Sequence, residues 1–418
     1  MLRIRAKKRS KQDERVSCGA WAMSEFKNLP SGWKVVRLGD IAEKSILKNR
    51  NNLIKLVLSN SAIDGLVAQN EYFDKDIANK ENIQDYYIVD LGDFVYNPRI
   101  SQSAPTGPIN RNMLSKGIVS PLYTVFTVQD EILAKFLAYF FKTIVWQNQV
   151  KSVANYGARY DRINITDNAF FSLKILLPPL DEQKKIAEIL STWDEAINLT
   201  INLIESKKQF KKALMQNLLT AKICFPQFKD EWKETKLGEI CDISAGTSKS
   251  RFIGDGKFYI VDMGSITQDG LLNLTKTTNL SQDFLDFGDL VMPKDDIGGG
   301  KIIGKVAVID KDNTYVLSDH IFRIKTTENS NFLAYLINSD LINKKIRREV
   351  SGTAQLGLSK RTIENLKIKL PNLKEQQKIA EVLTACDDEI NLLNLKLENL
   401  KKQKQGLMQK LLSGKVRI

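Results

Sequence analysis

The side chains most often used for catalysis are scarce in this chain of 418 residues. It has one histidine, His320, and four cysteines that lie far apart, Cys18, Cys224, Cys241 and Cys386. A site built from several histidines is therefore excluded, and no two cysteines have the spacing of zinc ligands. His320 lies in a β-like run, which favours a structural histidine over a catalytic one. These residues predict neither a metal site nor a disulfide framework, and they favour a reducing compartment, the cytoplasm.

Two short motifs could indicate nucleotide binding or methyl transfer, but neither has the required residues. Gly298-Gly299-Gly300-Lys301 lacks the spacing of a P-loop and the Ser or Thr that follows its lysine, so it is better explained as a mobile turn. Asn97-Pro98-Arg99 is not the Asn/Asp-Pro-Pro-aromatic motif of amino-methyltransferases. The carboxylates form no recognisable metal-nuclease cluster. The sequence therefore predicts a binding protein with no catalytic residue, metal or cofactor of its own.

The charge balance indicates an acidic partner without identifying it. The chain carries 62 Lys and Arg against 49 Asp and Glu, a net charge of +13, and its pI is near 9.3. Seven of the basic residues and two of the acidic ones lie within residues 1–22, and the two front domains, residues 23–177 and 223–370, are nearly balanced in charge. No stretch reaches the roughly 20 apolar residues that span a bilayer, and no secretory signal is present. Length and composition predict a cytoplasmic protein of several domains.

The elements that position any binding residues belong to a tandem repeat. Pro178–Leu199 reads PPLDEQKKIAEILSTWDEAINL, and Pro371–Leu392, 193 positions later, reads PNLKEQQKIAEVLTACDDEINL. Earlier in each half, WKVVRLGDI at 33–41 matches WKETKLGEI at 232–240. Two copies of a unit of about 190 residues therefore lie in tandem, far longer than a solenoid repeat. Two such copies predict a pseudo-twofold arrangement.

The back part of each copy predicts a helix of about 38–40 residues, because apolar residues recur in alternating steps of three and four. Asn372 with Glu375 resembles a capping box, and Gly414 suits a helix end. We expect an antiparallel coiled coil between the copies, with ordinary amphipathic bundle helices as the alternative. Lysines that interrupt the first seam predict weaker pairing at its centre. The predicted seam residues are Leu190, Trp193, Ile197, Ile204, Leu214, Leu218, Leu383, Ile390, Leu393, Leu397, Leu400, Leu407 and Leu411.

The front parts, residues 23–177 and 223–370, mix short β-like runs with Gly, Asn and Asp turns, which indicates α/β domains. We expect helices at 131–150 and 330–349. The loops at 99–120 and 294–301 are long and polar, and long loops in a compact domain are often functional. The predicted strands lie at 86–90, 94–96, 258–261, 305–309 and 321–324.

This layout resembles the specificity (S) subunit of type I restriction–modification systems. The doubled connector Glu-Gln-x-x-Ile-Ala-Glu, at 182–188 and 375–381, carries most of the resemblance. The sequences LGDI at 38–41 and LGEI at 237–240 look like the openings of its two target-recognition domains. GTAQLGL at 352–358 resembles the loop before the connector, whereas its counterpart, YGAR at 156–159, is looser. The resemblance covers residues 23–418.

The resemblance implies an α/β fold with two target-recognition domains in a pseudo-twofold arrangement, separated by two long antiparallel coiled-coil helices. Each domain would read one half of a bipartite DNA target, and the helices would dock two methyltransferase (M) subunits. Motor-nuclease (R) subunits would join through that M₂S core, so S-adenosylmethionine, ATP and Mg²⁺ would belong to partner chains. The implied segments are a flexible basic leader (1–22), two recognition domains (23–177 and 223–370) and two spacer helices (178–222 and 371–418).

On this interpretation, side chains in the polar loops contact DNA: Lys and Arg bind phosphates or guanine, and Asn and Gln bind adenine. A basic run at 344–348 could follow the phosphates or form a solvated face. The predicted DNA-binding residues are Arg99, Gln102, Arg111, Tyr156, Arg159, Arg162, Lys249, Arg251, Lys294, Lys301, Thr353, Gln355, Lys360 and Arg361.

The sequence leaves three other functions open. One is a stand-alone DNA-binding scaffold, and another is an S-like recognition chain of a different defence system. The third, a single-chain methyltransferase or nuclease, is disfavoured by the missing motifs. Residues 1–22 have no counterpart in the second copy, and a basic DNA-binding arm is an alternative to a leader. The sequence does not give the bases of the target, because shape readout and loop contacts follow no residue-to-base code.

Overall fold

The computed structural model describes residues 29–69, 83–156, 161–297, 299–352 and 356–418. The predicted leader, residues 1–22, lies outside these described residues. The chain divides into two compact units: Met1–Leu199 with Leu397–Ile418, and Thr200–Lys396. Each unit therefore combines one predicted recognition domain with half of each predicted long helix.

The first unit is built on an antiparallel four-stranded sheet of order β2-β9-β6-β7. Its first and last strands, β1 and β12, pair with each other, while β3 pairs with β4, β5 with β8 and β10 with β11. The strands described here are β1 (Lys34–Arg37), β2 (Glu43–Ser45), β3 (Leu58–Ser61), β4 (Gly65–Ala68), β5 (Tyr87–Val89), β6 (Phe94–Tyr96), β7 (Ile109–Arg111), β8 (Gly117–Val119), β9 (Thr124–Thr127), β10 (Asn155–Tyr156), β11 (Ile163–Asn164) and β12 (Lys174–Leu177).

The second unit repeats this plan, with a four-stranded sheet of order β14-β21-β17-β19. Its first and last strands again pair, and β15 lies between β16 and a parallel partner, β20. Its strands, over the residues described, are β13 (Lys233–Lys236), β14 (Cys241–Ala245), β15 (Phe258–Val261), β16 (Thr277–Thr278), β17 (Leu290–Pro293), β18 (Asp295–Asp296), β19 (Ala307–Val308), β20 (Tyr315–Leu317), β21 (Ile321–Thr326), β22 (Leu356–Gly357) and β23 (Lys367–Leu370).

Both four-stranded sheets are buried on two faces, as the short apolar strands require. In β6, Phe94 and Tyr96 join a large aromatic core, whereas Val95 points to the other face and packs with Leu58 and Val119. Alternation with a period of two explains this division. The same alternation in β17 places Leu290 and Met292 in one core and Val291 in another.

The shorter helices cover these sheets. The two predicted helices at 131–150 and 330–349 are each broken into two. Thr143 ends one helix and caps the next, because its hydroxyl donates to the Phe140 carbonyl at 2.7 Å and accepts from the Trp146 N–H at 3.2 Å. Ser339 lies at the second break, where its hydroxyl donates to the Leu336 carbonyl at 2.6 Å but accepts no N–H of the next helix. The helices of the described residues are α1 (Glu131–Phe140), α2 (Ile144–Val153), α3 (Asp167–Phe171), α4 (Leu180–Leu218), α5 (Leu237–Ile240), α6 (Ser330–Asn338), α7 (Asp340–Arg348), α8 (Lys360–Glu364) and α9 (Leu373–Leu412).

The two long helices predicted from the repeat are present, with 39 residues in α4 and 40 in α9. The Asn372 carboxamide caps α9 by accepting from the Glu375 N–H at 3.0 Å, and Gly414 follows the helix with a φ of +72°. Every predicted seam residue is buried or half-buried. The α/β fold with two long helices is therefore confirmed.

The helix segments are antiparallel within each unit. In the first unit Glu182 contacts Arg417, while Asp194, further along α4, contacts Lys404, which precedes Arg417. In the second unit Lys207 lies 2.7 Å from Glu389 and Lys211 lies 2.6 Å from Asp387. These lysines form ion pairs with carboxylates of the opposite helix, and the expectation that they weaken the pairing stays a prediction.

Candidate nucleic-acid interface

A polar cavity of about 280 Å³ lies beside the ends of β3 and β6 in the first unit. Arg99 and Arg162, both predicted DNA-binding residues, lie on opposite sides of a two-residue backbone bridge at its edge. Flanking backbone bonds, from the Ile163 N–H to the Pro98 carbonyl at 2.9 Å and from the Ile100 N–H to the Asp161 carbonyl at 3.0 Å, hold the two segments together. The cavity is lined by Ser59, Asn60, Ser61, Asn97, Pro98, Arg99, Ser120, Leu122, Tyr123 and Arg162.

Two buried asparagines fix the floor of this cavity. The Asn60 amide donates to the Val95 carbonyl at 2.6 Å, and its oxygen accepts from the Asn110 amide at 2.7 Å. The Asn97 amide donates to the Asn60 carbonyl at 3.2 Å, and its oxygen accepts from the Arg99 N–H at 3.0 Å. The backbone that carries Arg99 is thus held rigidly, while its side chain stays exposed.

The cavity is electropositive. Its described lining includes two guanidinium groups and no acidic side chain. Burial raises the pKa of Tyr123, and the positive charges of Arg99 and Arg162 offset part of that rise, so both arginines act on the same phenol. Such a site presents hydrogen-bond donors and positive charge, which suits a phosphate or the acceptor edge of a base.

His320 lies in the second unit, in the turn before β21 rather than in a strand, and its side chain is 45% exposed. The prediction of a structural histidine inside a strand was therefore wrong in its placement. Its Nδ1 lies 2.6 Å from Asp295 Oδ2, and its Nε2 lies 3.6 Å from Asp319 Oδ2. Its φ is +65°, in the left-handed region that non-glycine residues rarely adopt.

The two aspartates beside His320 differ in their surroundings. Lys294, a predicted DNA-binding residue that is half-buried, places its amine 3.5 Å from Asp295. Burial raises the pKa of Asp319, but hydrogen bonds from Ser318 and Ser248 and the His320 imidazole outweigh it and hold that pKa below its usual range. Asp319 is therefore an ionised, acceptor-only group at neutral pH.

The remaining candidates of the first domain are dispersed. Arg111 is only 12% exposed, because its guanidinium is bound to Glu131 and donates to the Gly92 carbonyl at 3.0 Å. Its predicted role at a DNA surface is therefore not supported by its placement. Gln102 and Tyr156 are exposed, the second at 40% on β10. Arg159 lies outside the described residues.

Among the candidates of the second domain, the prediction that Lys249 contacts DNA was wrong, because its side chain is buried. Its side chain is 6% exposed, and its amine lies 2.5 Å from Asp283 and 2.6 Å from the Thr247 hydroxyl, so it stabilises a turn instead of facing solvent. Arg251, Lys301, Lys360 and Arg361 are exposed, as the prediction requires, and Thr353 and Gln355 lie outside the described residues.

The basic run at 344–348 lies on α7. Lys344 and Lys345 are exposed on this helix, with the Lys344 amine 3.7 Å from Asp340. Arg347 donates to the Gly300 carbonyl, which ties the glycine-rich segment to the helix. The other end of that segment is held by Asp296, which accepts from the Ile302 N–H at 2.9 Å.

Sequence reasoning missed several residues of these sites, namely Asn60, Asn97, Tyr123 and Asp319. Asparagine, tyrosine and aspartate are too common in polar loops to be singled out by residue type. An alignment of the two halves, LGDFVYNPR at 91–99 against FGDLVMPKD at 287–295, would have identified this shared loop from the sequence. It places Arg99 opposite Asp295 and so marks one loop position in both copies.

Comparison with known proteins decides the family. Residues 30–206 and 229–402 match the type I restriction modification DNA specificity domain, one match for each copy of the repeat. The chain belongs to this family. The resemblance seen in the doubled connectors is confirmed, and this specificity-family chain contains two copies of the DNA specificity domain.

Relatives of this specificity-family chain match it over two thirds or more of its length. It is 27% identical to the type I restriction enzyme MjaVIII specificity subunit of Methanocaldococcus jannaschii, over 93% of this chain and 94% of that protein. It is 25% identical to the type I restriction enzyme EcoKI specificity subunit of Escherichia coli K12, over 68% of this chain and 66% of that protein. The family is thus one of specificity subunits, which recognise DNA.

Solved structures agree on the fold. A chain from a type I restriction–modification system, studied for its complex assembly and conformational transition, superposes with a TM-score of 0.59 at 18% identity, covering 93% of this chain and 100% of that chain. The S subunit from M. genitalium gives a TM-score of 0.56 at 15% identity, covering 92% and 96%. At these identities the likeness supports the α/β fold with long helices.

Three further observations concern the described part of the specificity-family chain. No helix in it is both long and apolar enough to cross a membrane. No group of three or more His, Cys, Asp and Glu side chains in it is placed to hold a metal ion. Cys224, Cys241 and Cys386 are free thiols, and Cys18 lies outside the described residues.

Proposed function

We propose that this chain is the non-catalytic DNA-recognition subunit of a type I restriction–modification complex. In this proposal each recognition domain reads one half-site of a bipartite target, and the long helices set the distance between the half-sites and dock two methyltransferase subunits. Motor-nuclease subunits join through the resulting M₂S core in the cytoplasm. S-adenosylmethionine is bound by the methyltransferase subunits, and ATP and Mg²⁺ are bound by the motor-nuclease subunits.

The duplication of one recognition fold carries this proposal. Both units have a four-stranded sheet of matching strand order, yet the loops beside the sheets differ in charge. Two copies of one reader with different loops suit two different half-sites, because base-contacting side chains carry sequence information and the scaffold does not. The electropositive cavity at Arg99 and Arg162 supports a DNA-facing loop cluster in the first unit.

Exposed apolar side chains on the long helices support the docking of partner subunits. Isolated exposed apolar residues are common, but a series of large ones on polar helices is typical of a protein–protein interface. On α4 these are Leu199, Ile201, Leu203 and Phe210, and on α9 they are Leu392 and Leu395, with exposures of 42–66%.

Co-expression with the methyltransferase subunit of the same system tests the main proposal. Adenine methylation in the host genome is mapped with both subunits, with either one alone and with neither. We expect methylation at one bipartite motif only when both are present, because the recognition and the chemistry reside on different chains. Methylation by the methyltransferase alone at the same motif, or a continuous motif without a gap, would contradict the proposal.

The docking role has its own test. Phe210→Glu places a charge on the exposed apolar series, and we expect it to reduce co-purification of the methyltransferase subunit at least tenfold, since an interface anchor commonly contributes 2 kcal/mol or more. Lys212→Glu, at an exposed position on the same helix, is the matched control for added negative charge. Equal co-purification of wild type and Phe210→Glu would exclude this surface as the docking site.

A further inference from the structure

The two units place one pair of loops at the same point of the same sheet. In the first unit β6 pairs with β9 through Phe94 and Phe126, and in the second β17 pairs with β21 through Leu290 and Ile324. These strands hold the same neighbouring positions in the two sheet orders. The loops that follow β6 and β17, and those that precede β9 and β21, are therefore equivalent by topology.

Counting from these partners identifies the equivalent residues. Five residues after Phe94 comes Arg99, and five residues after Leu290 comes Asp295. Four residues before the paired residues of β9 and β21 lie Leu122 and His320. In both units a backbone N–H from a later segment donates to the carbonyl just before Arg99 or Asp295, at 2.9 and 2.7 Å. The cavity of the first unit and the histidine cluster of the second thus occupy one position in the duplicated domain.

In the first of these sites, both charged side chains are arginines, which donate hydrogen bonds and accept none. Arg99 and Arg162 carry guanidinium groups, which have five N–H donors and no acceptor. In the major groove the complementary acceptor pair is the O6 and N7 edge of guanine, the commonest partner of arginine. The rigid floor made by Asn60 and Asn97 fixes the Arg99 backbone, as readout of one base requires.

The second site has the opposite chemistry. Asp295 Oδ2 lies 2.6 Å from His320 Nδ1, and Asp319 Oδ2 lies 3.6 Å from His320 Nε2, so the imidazole lies between two carboxylates. Asp319 adds an acceptor-only carboxylate whose side chain is 33% exposed. The two carboxylates outnumber the lysine beside them, Lys294 at 3.5 Å from Asp295, and so disfavour a DNA phosphate, whereas they accept hydrogen bonds from the amino group of cytosine (N4) or adenine (N6). The site is therefore unsuited to a phosphate and suited to an amino group on a base.

We infer that these equivalent sites are base-reading sites with opposite hydrogen-bonding preferences. Arg99 and Arg162 read a guanine in one half-site, and Asp319, positioned beside His320, reads a base that presents an amino group in the major groove of the other. The inference rests on the proposed function, because it assigns the readout chemistry of the two recognition domains.

Selection from a random-sequence duplex DNA pool tests this assignment, with the full chain in complex with its methyltransferase subunit. The variants are Arg99→Gln and Arg162→Gln in the first unit and Asp319→Asn and His320→Asn in the second. Asparagine tolerates the left-handed φ of position 320, so His320→Asn retains the turn. The matched controls, at exposed lysines, are Lys116→Gln and Lys257→Gln.

For the first unit we expect each arginine variant to lose about tenfold or more of the preference for guanine at one position of one half-site. The other half-site stays unchanged. Replacing that guanine by 7-deazaguanine, which lacks the N7 acceptor, weakens wild-type binding and leaves the variant unaffected. A uniform loss of affinity for all sequences, with a lower salt dependence and the same motif, would identify phosphate contacts and overturn the inference.

For the second unit we expect Asp319→Asn and His320→Asn to lose about tenfold of the preference for adenine or cytosine at one position of the opposite half-site. The base enriched by the wild type distinguishes adenine from cytosine. An unchanged preference in both variants overturns this half of the inference. If the wild type enriches no bipartite motif, the proposed function itself fails, so the two failures are distinguishable.

Discussion

At the scale of single residues, the duplication has left two equivalent glutamates in unequal surroundings. Glu182 is 5% exposed and accepts from the Trp33 indole at 3.0 Å and from Arg417 at 2.8 and 3.2 Å. Glu375 is 2% exposed, but the position equivalent to Arg417 holds Cys224. Burial raises the pKa of Glu375, and an interaction with Trp232 offsets only part of that rise.

Neutralising the two glutamates is therefore expected to have opposite effects. Glu182→Gln leaves Arg417 without its anionic partner and costs about 1–3 kcal/mol in the free energy of unfolding. Glu375→Gln removes a buried charge that burial disfavours and is neutral or stabilising at pH 7. Urea unfolding of the two variants measures both effects, and equal destabilisation by both would contradict the assigned asymmetry.

The raised pKa of Glu375 also predicts a pH dependence. The folded state holds this proton more tightly than the unfolded state, whose value is near 4.5. Stability contributed by the protonated group is therefore complete below 4.5 and is lost as the pH rises through the folded pKa. We expect Glu375→Gln to lack this loss, and unfolding curves at pH 4 and pH 7 for the variant and the wild type measure the difference.

Residue type alone predicted some surface positions and failed at others for a clear reason. Arg99 and Arg162, far apart in sequence, do lie together at one cavity. Lys249 and Arg111 do not reach a free surface, because Asp283 and Glu131 pair with them. Such pairings depend on tertiary contacts that leave no local pattern in the sequence.

At the scale of elements, a repeated polar contact joins each recognition domain to the long helices. In the first unit the Tyr139 hydroxyl donates to Asp194 at 2.8 Å, and the Lys404 amine lies over the Tyr139 ring at 5.1 Å. In the second unit Tyr335 donates to Asp387 at 2.7 Å, with Lys211 over its ring at 5.0 Å. Each contact thus connects α1 or α6 with both α4 and α9.

Removing the carboxylate at the centre of this contact tests its role. Asp387→Asn weakens both the bond to Tyr335 and the ion pair to Lys211, and we expect a loss of about 1–3 kcal/mol in the free energy of unfolding. Lys208→Gln, on the exposed side of α4 where Glu205 lies 4.0 Å away, is expected to cost less than about 0.5 kcal/mol. Equal losses would show that the tyrosine–aspartate–lysine contact adds nothing to an ordinary surface ion pair.

The long helices also provide a test of half-site spacing. Seven residues inserted after Thr200 and seven after Lys396 retain the heptad register and add about 10 Å to each helix. We expect the gap between half-sites to grow by about three base pairs, since ten base pairs span about 34 Å. Methylation mapping measures the gap between the half-sites. An unchanged gap would show that the length of the helices does not set the half-site spacing.

The elements show which sequence patterns are sufficient for prediction. Heptad periodicity and its duplication predicted both long helices to within a few residues. The breaks at Thr143 and Ser339 were missed, because apolar residues continue across them and a hydroxyl that bonds a preceding carbonyl leaves no periodic pattern in the sequence. The ion pairs of the seam lysines were not foreseen, because a heptad pattern does not reveal carboxylates on an opposite helix.

At the scale of the whole molecule, the two compact units differ along the chain: the first combines Met1–Leu199 with Leu397–Ile418, whereas the second is the continuous segment Thr200–Lys396. Residues near the end of α9 complete the core of the first unit, where Leu411 and Leu412 are fully buried. The corresponding residues of α4, Leu218 and Leu219, complete the core of the second unit. Both pairs come from nearly identical sequences, LMQNLL at 214–219 and LMQKLL at 407–412.

Each long helix therefore ends in the core of the unit that holds the other copy's recognition domain. This exchange of helix ends predicts the oligomeric state of a fragment that contains only the first copy. A fragment of residues 23–222 lacks Leu411 and Leu412 but contains their equivalents, Leu218 and Leu219, at the end of its own helix. A second copy of the fragment can supply them, and the closed solution for two identical chains is a twofold dimer. We therefore expect the fragment to be a dimer of about twice its chain mass by light scattering, with a stability that rises with concentration.

The dimer carries two copies of the first reader, so its target is predictable. With the methyltransferase subunit we expect it to direct methylation to a palindrome made of two first half-sites. Leu218→Asp, which places a charge at the buried position, is expected to abolish the dimer, whereas Lys212→Gln at an exposed position leaves it intact. A folded monomeric fragment would contradict the exchange, and a dimer that still methylates the original asymmetric target would contradict the assignment of one half-site to each domain.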